Sequence, residues 1–300
     1  MRLPIVHHPD YDAQFEPGHR FPMSKYSALM RVLEARGLVG SDNLHQPSLL
    51  HPSVLKLAHD AAYIDQVLAC AVAPAIERDI GFPVSERVSR RAQLATAGTL
   101  MAARLALEYG IACNAAGGSH HARHAQGAGF CTLNDVAVAS LHLLAQQELD
   151  RILIVDLDVH QGDGTAEILQ HEPRAFTFSM HGARNYPQQK ARSDRDVALP
   201  DDMGDAAYLE MLRMHLPDLL ASVRPDLVFF NAGVDPHRDD RLGRLALSDD
   251  GLRERDRTVL EACGSAGVPL CGVIGGGYSR DVETVAARHA LLFEVAAAFA

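Results

Sequence analysis

What the sequence lacks narrows it first. It holds no stretch of about 18 apolar residues, so no membrane-spanning helix is expected. The segment Met1 to His8 has no long apolar core of the kind a secretory signal needs. Positive charge is in the minority: 28 Lys plus Arg against 38 Asp plus Glu give a formal charge of −10. That balance argues against a nucleic-acid-binding surface, which is usually basic. The 5 cysteines (Cys70, Cys113, Cys131, Cys263 and Cys271) are odd in number and contain no C-x-x-C pair. Cys113 and Cys271 lie in apolar, strand-like runs, so free buried thiols in a reducing, cytoplasmic setting are expected. No internal repeat, low-complexity tract or linker is visible. A dinucleotide-binding module read from Gly275-Gly276-Gly277 carries little weight, because the required G-x-G-x-x-G between strand and helix is absent.

What is present supports a sizeable core. Apolar residues make up 47% of the 300 residues, enough for one α/β domain covering 1–300. Strand-like runs fall at 3–7, 111–115, 151–157, 175–179, 226–230 and 268–274. Helical segments fall near 24–36, 53–59, 60–72, 85–109, 134–147, 205–221, 248–267 and 280–299. Ser24, Ser85 and Ser248 stand at helix starts, and Gly37, Gly110 and Gly267 at helix ends. Residues 40–52 read as loop, as does the stretch ending at Gly81-Phe82-Pro83. Strands alternating with helices predict a mostly parallel sheet with helices on both faces, a three-layer α/β/α fold.

The organising stretch is Ile152-Leu153-Ile154-Val155-Asp156-Leu157-Asp158-Val159-His160, closed by a Gly162-Asp163-Gly164 turn. Its first half is apolar and mostly β-branched. Its second half alternates, and side chains point the same way every second residue along a strand, so Asp156, Asp158 and His160 share one face. Two acids and an imidazole together are costly to bury unpaired, and a divalent cation would compensate them. A hydrogen-bonded polar cluster without metal is the alternative for this segment alone.

Ligands of parallel sheets bind beyond the carboxyl ends of the strands. Polar groups collect at those positions here: Gly117-Gly118-Ser119-His120-His121 after 111–115, Asp158 and His160 after 151–157, Asp235 after 226–230, and Tyr278 after 268–274. Asp158, His160 and Asp235 would supply three N/O ligands and leave coordination open, the pattern of a catalytic metal. Two carboxylates make the set harder than a His-rich zinc site, so Fe(II) or Mn(II) is compatible. A metal beside an imidazole forms a hydrolytic pair, and a Tyr hydroxyl could donate to a developing oxyanion.

These motifs, with Gly129-Phe130-Cys131-Thr132-Leu133-Asn134-Asp135 and Asp240-Arg241-Leu242-Gly243, resemble the zinc-dependent histone deacetylase family in order and spacing. The resemblance spans about residues 15 to 290 and is strongest to the bacterial and class IV branch, which has Gln where this chain has Gln161. It implies the arginase–deacetylase fold and a single Zn²⁺, or Fe²⁺, on Asp158, His160 and Asp235. It implies His121 as general base and acid, with His120 assisting. Asp156 would orient His120, and Asp163 would orient His121. Tyr278 would be the oxyanion donor. Gly129, Phe130, Tyr186, Leu242 and Gly276 would line an acyl-lysine tunnel. A structural K⁺ would lie near Asp156, Asp158, His160, Ser179 and Met180. The implied reaction removes an acyl group from an amine: acetyl-lysine in a protein, an acetylpolyamine or another small amide. A binuclear manganese ureohydrolase of the arginase type and a catalytically dead acyl-lysine reader are weaker alternatives.

Overall fold

The computed structural model describes residues 2–16 and 18–300. Its strands are β1 (Ile5–Val6), β2 (Leu44–His45), β3 (Ile111–Asn114), β4 (Ile152–Asp156), β5 (Ala175–Gly182), β6 (Arg195–Leu199), β7 (Leu227–Asn231) and β8 (Leu270–Val273). The helices are α1 (Lys25–Ala35), α2 (Pro52–Leu55), α3 (Ala61–Leu68), α4 (Pro74–Ile80) and α5 (Glu86–Tyr109), then α6 (Asp135–Ala145), α7 (Asp163–Leu169), α8 (Asp205–Val223), α9 (Asp249–Ala266) and α10 (Val282–Ala297). The strands form one 8-stranded sheet in the order β2-β1-β3-β8-β7-β4-β5-β6, with every pairing parallel. Helices α1, α8, α9 and α10 pack in one layer, and α5, α6 and α7 in another. The central strands β3, β4, β7 and β8 are buried at every residue. Burial on both faces explains their unbroken apolar runs.

Register places the site. Asn114 pairs with Val273, Val273 with Asn231, Asn231 with Asp156, and Asp156 with Ser179. These residues form a row across one edge of the sheet, and the chain leaves that row into the loops holding His120, Tyr278, Asp235 and Asp158.

Several local expectations are corrected. Strand β4 ends at Asp156, and residues 158–160 are bends. The cause is side-chain capping: Asp156 Oδ1 accepts the Asp158 N–H at 3.2 Å, and Asp158 Oδ1 accepts the His160 N–H at 3.0 Å. The segment after Gly162 is helix α7, not only a turn. The stretch before Gly81 holds α4, started by Pro74 and closed by left-handed Gly81 at φ 97°. Residues 44–45 and 195–199 pair as edge strands β2 and β6. Ser24 makes no side-chain cap, because its own backbone is already helical at φ −68°, ψ −2°. Among the described residues no helix is long and apolar enough to cross a membrane.

Candidate active site

Asp158, His160 and Asp235 converge although they leave two different strands. One ligand atom from each lies within 4.8 Å of the others, and all three residues are buried. His160 Nδ1 stands 3.0 Å from Asp158 Oδ1 and 3.1 Å from Asp235 Oδ2. The carboxylates are held from behind by backbone. Val159 N–H donates to Asp235 Oδ1 at 2.9 Å, and Gly276 N–H donates to Asp158 Oδ2 at 2.7 Å. Only glycine fits there: a Cβ on Gly276 would fall 2.1 Å from Asp235 Oδ2, and one on Gly233 would fall 2.3 Å from Asp158 Oδ2.

The electrostatics of this trio are those of buried groups competing for charge. Burial, then the Asp158 charge, push the Asp235 carboxyl up. Asp158 is held down in spite of burial, chiefly by His120 and His160. Burial alone would lower His160, but the two carboxylates outweigh it and hold the ring at about 10. Two buried acids thus compete for one imidazole. Their oxygen and nitrogen donors suit a divalent ion, which would relieve that competition.

Beside the trio, two imidazoles are each backed by a carboxylate. His120 Nδ1 pairs with Asp156 Oδ2 at 2.7 Å, and His121 Nδ1 with Asp163 Oδ1 at 2.5 Å. Asn231 Nδ2 donates to the other oxygen of Asp156 at 3.0 Å, and Arg123 Nη2 to the other oxygen of Asp163 at 2.8 Å. With both Nδ1 atoms engaged as donors, the two Nε2 atoms face each other at 3.2 Å. The rings differ in basicity. Burial lowers both, but Asp156 and Asp158 carry His120 up to about 9. Burial and the neighbouring His120 hold His121 at about 4 in spite of Asp163. The loop that presents the pair is fixed by Asp135, which accepts from Gly118 N at 3.1 Å, Ser119 N at 2.8 Å and Thr99 Oγ1 at 2.6 Å.

A cleft of about 310 Å³ opens over these groups, lined by His121, His160, Tyr278, Gly129, Phe130, Tyr186 and Leu242 among others. Tyr278 faces this cleft and not bulk solvent. Its ring meets His160 edge-on at 6.2 Å, and its N–H is anchored on Asp240 Oδ2 at 2.6 Å. Burial and then the Asp235 and Asp158 charges raise its phenol well above the ordinary value, which keeps it a proton donor. Tyr186 meets His121 edge-on at 4.7 Å, and Phe130 stacks parallel to Phe82 at 6.2 Å. Gly129, at φ +52°, lets these walls close in: a Cβ there would lie 2.6 Å from the His121 ring. Gly276 lines a narrow recess behind the cleft with Asp158 and Tyr278. Ser179 stands opposite Asp156 in the β4–β5 register, with buried Met180 next to it.

Residues that sequence reasoning passed over brace this arrangement. Arg255, fully buried on α9, reaches the carbonyls of Leu157, Ala232 and Gly233. Lys25, also fully buried, donates to the Gly275 carbonyl at 2.9 Å. Most other charged residues of these helices are open to solvent, Asp256 beside Arg255 excepted, so charge pattern alone does not mark the two.

A parallel three-layer α/β fold whose carboxyl-terminal edge carries this centre is of the arginase–deacetylase type. It is shared by the crystal structure of acetylpolyamine aminohydrolase from Burkholderia pseudomallei, at TM-score 0.77 and 21% identity, covering 98% of each chain. The histone deacetylase domain model matches residues 19–293. The chain therefore belongs to the histone deacetylase family, whose members are deacetylases and hence hydrolases. It is 47% identical over 99% of both chains to an uncharacterized protein of Picosynechococcus sp.. It is 28% identical to Histone deacetylase 2 of Arabidopsis thaliana, over 95% of this chain and 77% of that one.

Proposed function

We propose that residues 1–300 form one catalytic unit that hydrolyses the amide of an acylated amine, an acyl-lysine side chain above all, with one divalent ion held by Asp158, His160 and Asp235. The observation that carries this reading is the pair of carboxylate-backed imidazoles with facing Nε2 atoms, set beside the three-ligand cluster in one cleft. Zn²⁺ fits the donors, and Fe²⁺ fits them as well. When bound, the ion supplies Lewis-acid polarisation of the carbonyl and a lowered water pKa.

The chain's own groups do the rest. Phe130, Tyr186, Leu242 and Gly129 sheathe the aliphatic stem of the lysine and bring its carbonyl toward Tyr278. His120 Nε2 and His121 Nε2 receive the attacking water, and His121 takes its proton. Asp163, braced by Arg123, keeps the His121 proton on Nδ1 so that Nε2 is free to accept. Tyr278 donates its phenolic hydrogen to the oxyanion of the tetrahedral intermediate. His121 then passes its proton from Nε2 to the departing nitrogen, leaving a free amine and a carboxylate. A K⁺ among the backbone carbonyls near Asp156, Ser179 and Met180 would stiffen the row beneath the site. One converging ligand group among the described residues favours a single ion over the binuclear manganese chemistry of a ureohydrolase.

The test is a metal count together with two variants. One ion per chain is expected, and His121→Ala and Tyr278→Phe should each lower kcat/KM on an acetyl-lysine peptide by about 10² or more with metal retained. Near-normal turnover in either variant would remove the role assigned to that residue. Two ions per chain would favour the ureohydrolase reading.

A further inference from the structure

The mouth of the cleft carries a charge opposite in sign to that of the whole chain. Arg20, Arg78, Arg184 and Arg244 line it, and Asp79 is the one acid among the lining residues. All five are exposed. Arg184 and Arg244 share a single carboxylate, Asp201, at 3.6 and 3.2 Å. Arg20 and Arg78 have no ion-pair partner among the described residues. The Arg20 guanidinium lies 5.8 Å from the centroid of Phe130, which fixes positive charge at the lip of the tunnel. Beyond Arg20 the surface continues into a second hollow carrying Arg241 and Arg280 against Glu16. The acids nearest the reacting groups are turned inward. Asp163 is engaged by His121 and Arg123, and Asp240 by the N–H groups of Leu242, Gly243 and Tyr278. They do not cancel the rim.

We infer that the amine half of the substrate is anionic: an acyl-lysine flanked by aspartate or glutamate in a peptide, with its neighbouring carboxylates on the arginine rim. This rests on the deacylase reading above and deepens it. Guanidinium groups pair with carboxylates in a bidentate fork and repel ammonium groups. The same rim therefore disfavours acylated polyamines, whose remaining amines are cationic. The apolar tunnel walls select the acyl-lysine stem, and the arginines select what surrounds it.

The experiment compares the metal-loaded protein on three acetyl-lysine peptides that differ only in flanking residues (Asp/Glu, Ala/Ser and Lys/Arg) and on a monoacetylated spermidine. At low ionic strength kcat/KM should be about tenfold or more higher for the acidic than for the basic peptide. The gap should shrink in ~0.5 M NaCl, where exposed charges are screened. The double variant Arg78→Glu/Arg184→Glu should reverse the order, and affinity for hydroxamate versions of the peptides should follow the same order in a direct binding assay. Rates equal within about twofold, an order indifferent to salt and to the variant, or acetylspermidine as the best substrate would overturn this inference while leaving the deacylase reading standing. Failure to hydrolyse even the neutral peptide would overturn both.

Discussion

Arg255→Met is expected to be among the most destabilising single changes in the protein. The side chain is fully buried. Its guanidinium donates to Gly233 O at 2.5 Å and to Leu157 O and Ala232 O at 3.3 Å each, while Nε and Nη2 hold Asp256 Oδ1 at 2.9 and 2.8 Å. Those carbonyls belong to the turns just beyond β4 and β7 that carry Asp158 and Asp235. Methionine follows the arginine stem about as far as Nε but offers no donors. Each buried carbonyl left without its partner costs about 1–3 kcal/mol, and stranding the Asp256 carboxylate costs about 3–5 kcal/mol. The terms do not add in full, because burial already raises the Asp256 pKa and the carboxyl can protonate once Arg255 is gone. A net loss of about 4–6 kcal/mol is expected, a large part of the ~5–15 kcal/mol that holds a typical domain. Adding Asp256→Leu should restore about 2–3 kcal/mol, the share due to the stranded charge. Urea unfolding at pH 7 of the wild type, Arg255→Met and the double variant gives these values. If the single variant does not fold, a folded double variant is the same result. The reasoning fails if Arg255→Met lies within about 1 kcal/mol of wild type, or if the double variant is no more stable than the single.

The Gly276→Ala variant keeps a backbone that any residue can adopt, yet places a methyl 2.1 Å from Asp235 Oδ2. Metal affinity should fall by about tenfold or more in a chelator competition, and unchanged affinity would refute the crowding. His59 is held neutral at about 4 by burial, with Nδ1 on the Arg123 carbonyl and Nε2 accepting the Asn134 N–H. Its unfolded value is 6.5, so its contribution is complete above pH 6.5 and is lost as pH falls toward 4. The stability difference between wild type and His59→Gln should therefore shrink by about 2 kcal/mol from pH 7 to pH 5. A difference constant with pH would show that the ring titrates normally.

The sheet was legible where both faces of a strand are buried, because Ile152 to Val155 and Leu227 to Phe230 leave no room for another reading. The convergence of Asp158, His160 and Asp235 was legible because each follows such a run. The extended reading through His160 failed because two carboxylates bond the backbone ahead of them, a competition that alternation ignores. Strand β6 escaped because an edge strand half open to water, Arg195-Asp196-Val197-Ala198-Leu199, has only the short apolar run Val197-Ala198-Leu199 behind two charged residues. Helix α7 escaped because Gly164 reads as a turn former. Its role is closeness: a Cβ there would meet the Ala122 carbonyl at 2.3 Å. Arg255 lies in the run Arg253-Glu254-Arg255-Asp256-Arg257, where nothing local tells the buried Arg255–Asp256 pair from the more exposed charges around it.

The strand order has a consequence for how the protein comes into being. Strands β1 to β3 touch β4 to β6 only through β8 and β7, the last two strands of the sheet to leave the ribosome. Until they arrive, the nascent chain holds two half-sheets with raw edges, and Asp158 and His160 wait without Asp235. The final quarter of the polypeptide, with β7 and β8, is thus a keystone, because the three residues of that corner come together only once β7 is in place, and the unfinished halves would be a natural client for a chaperone.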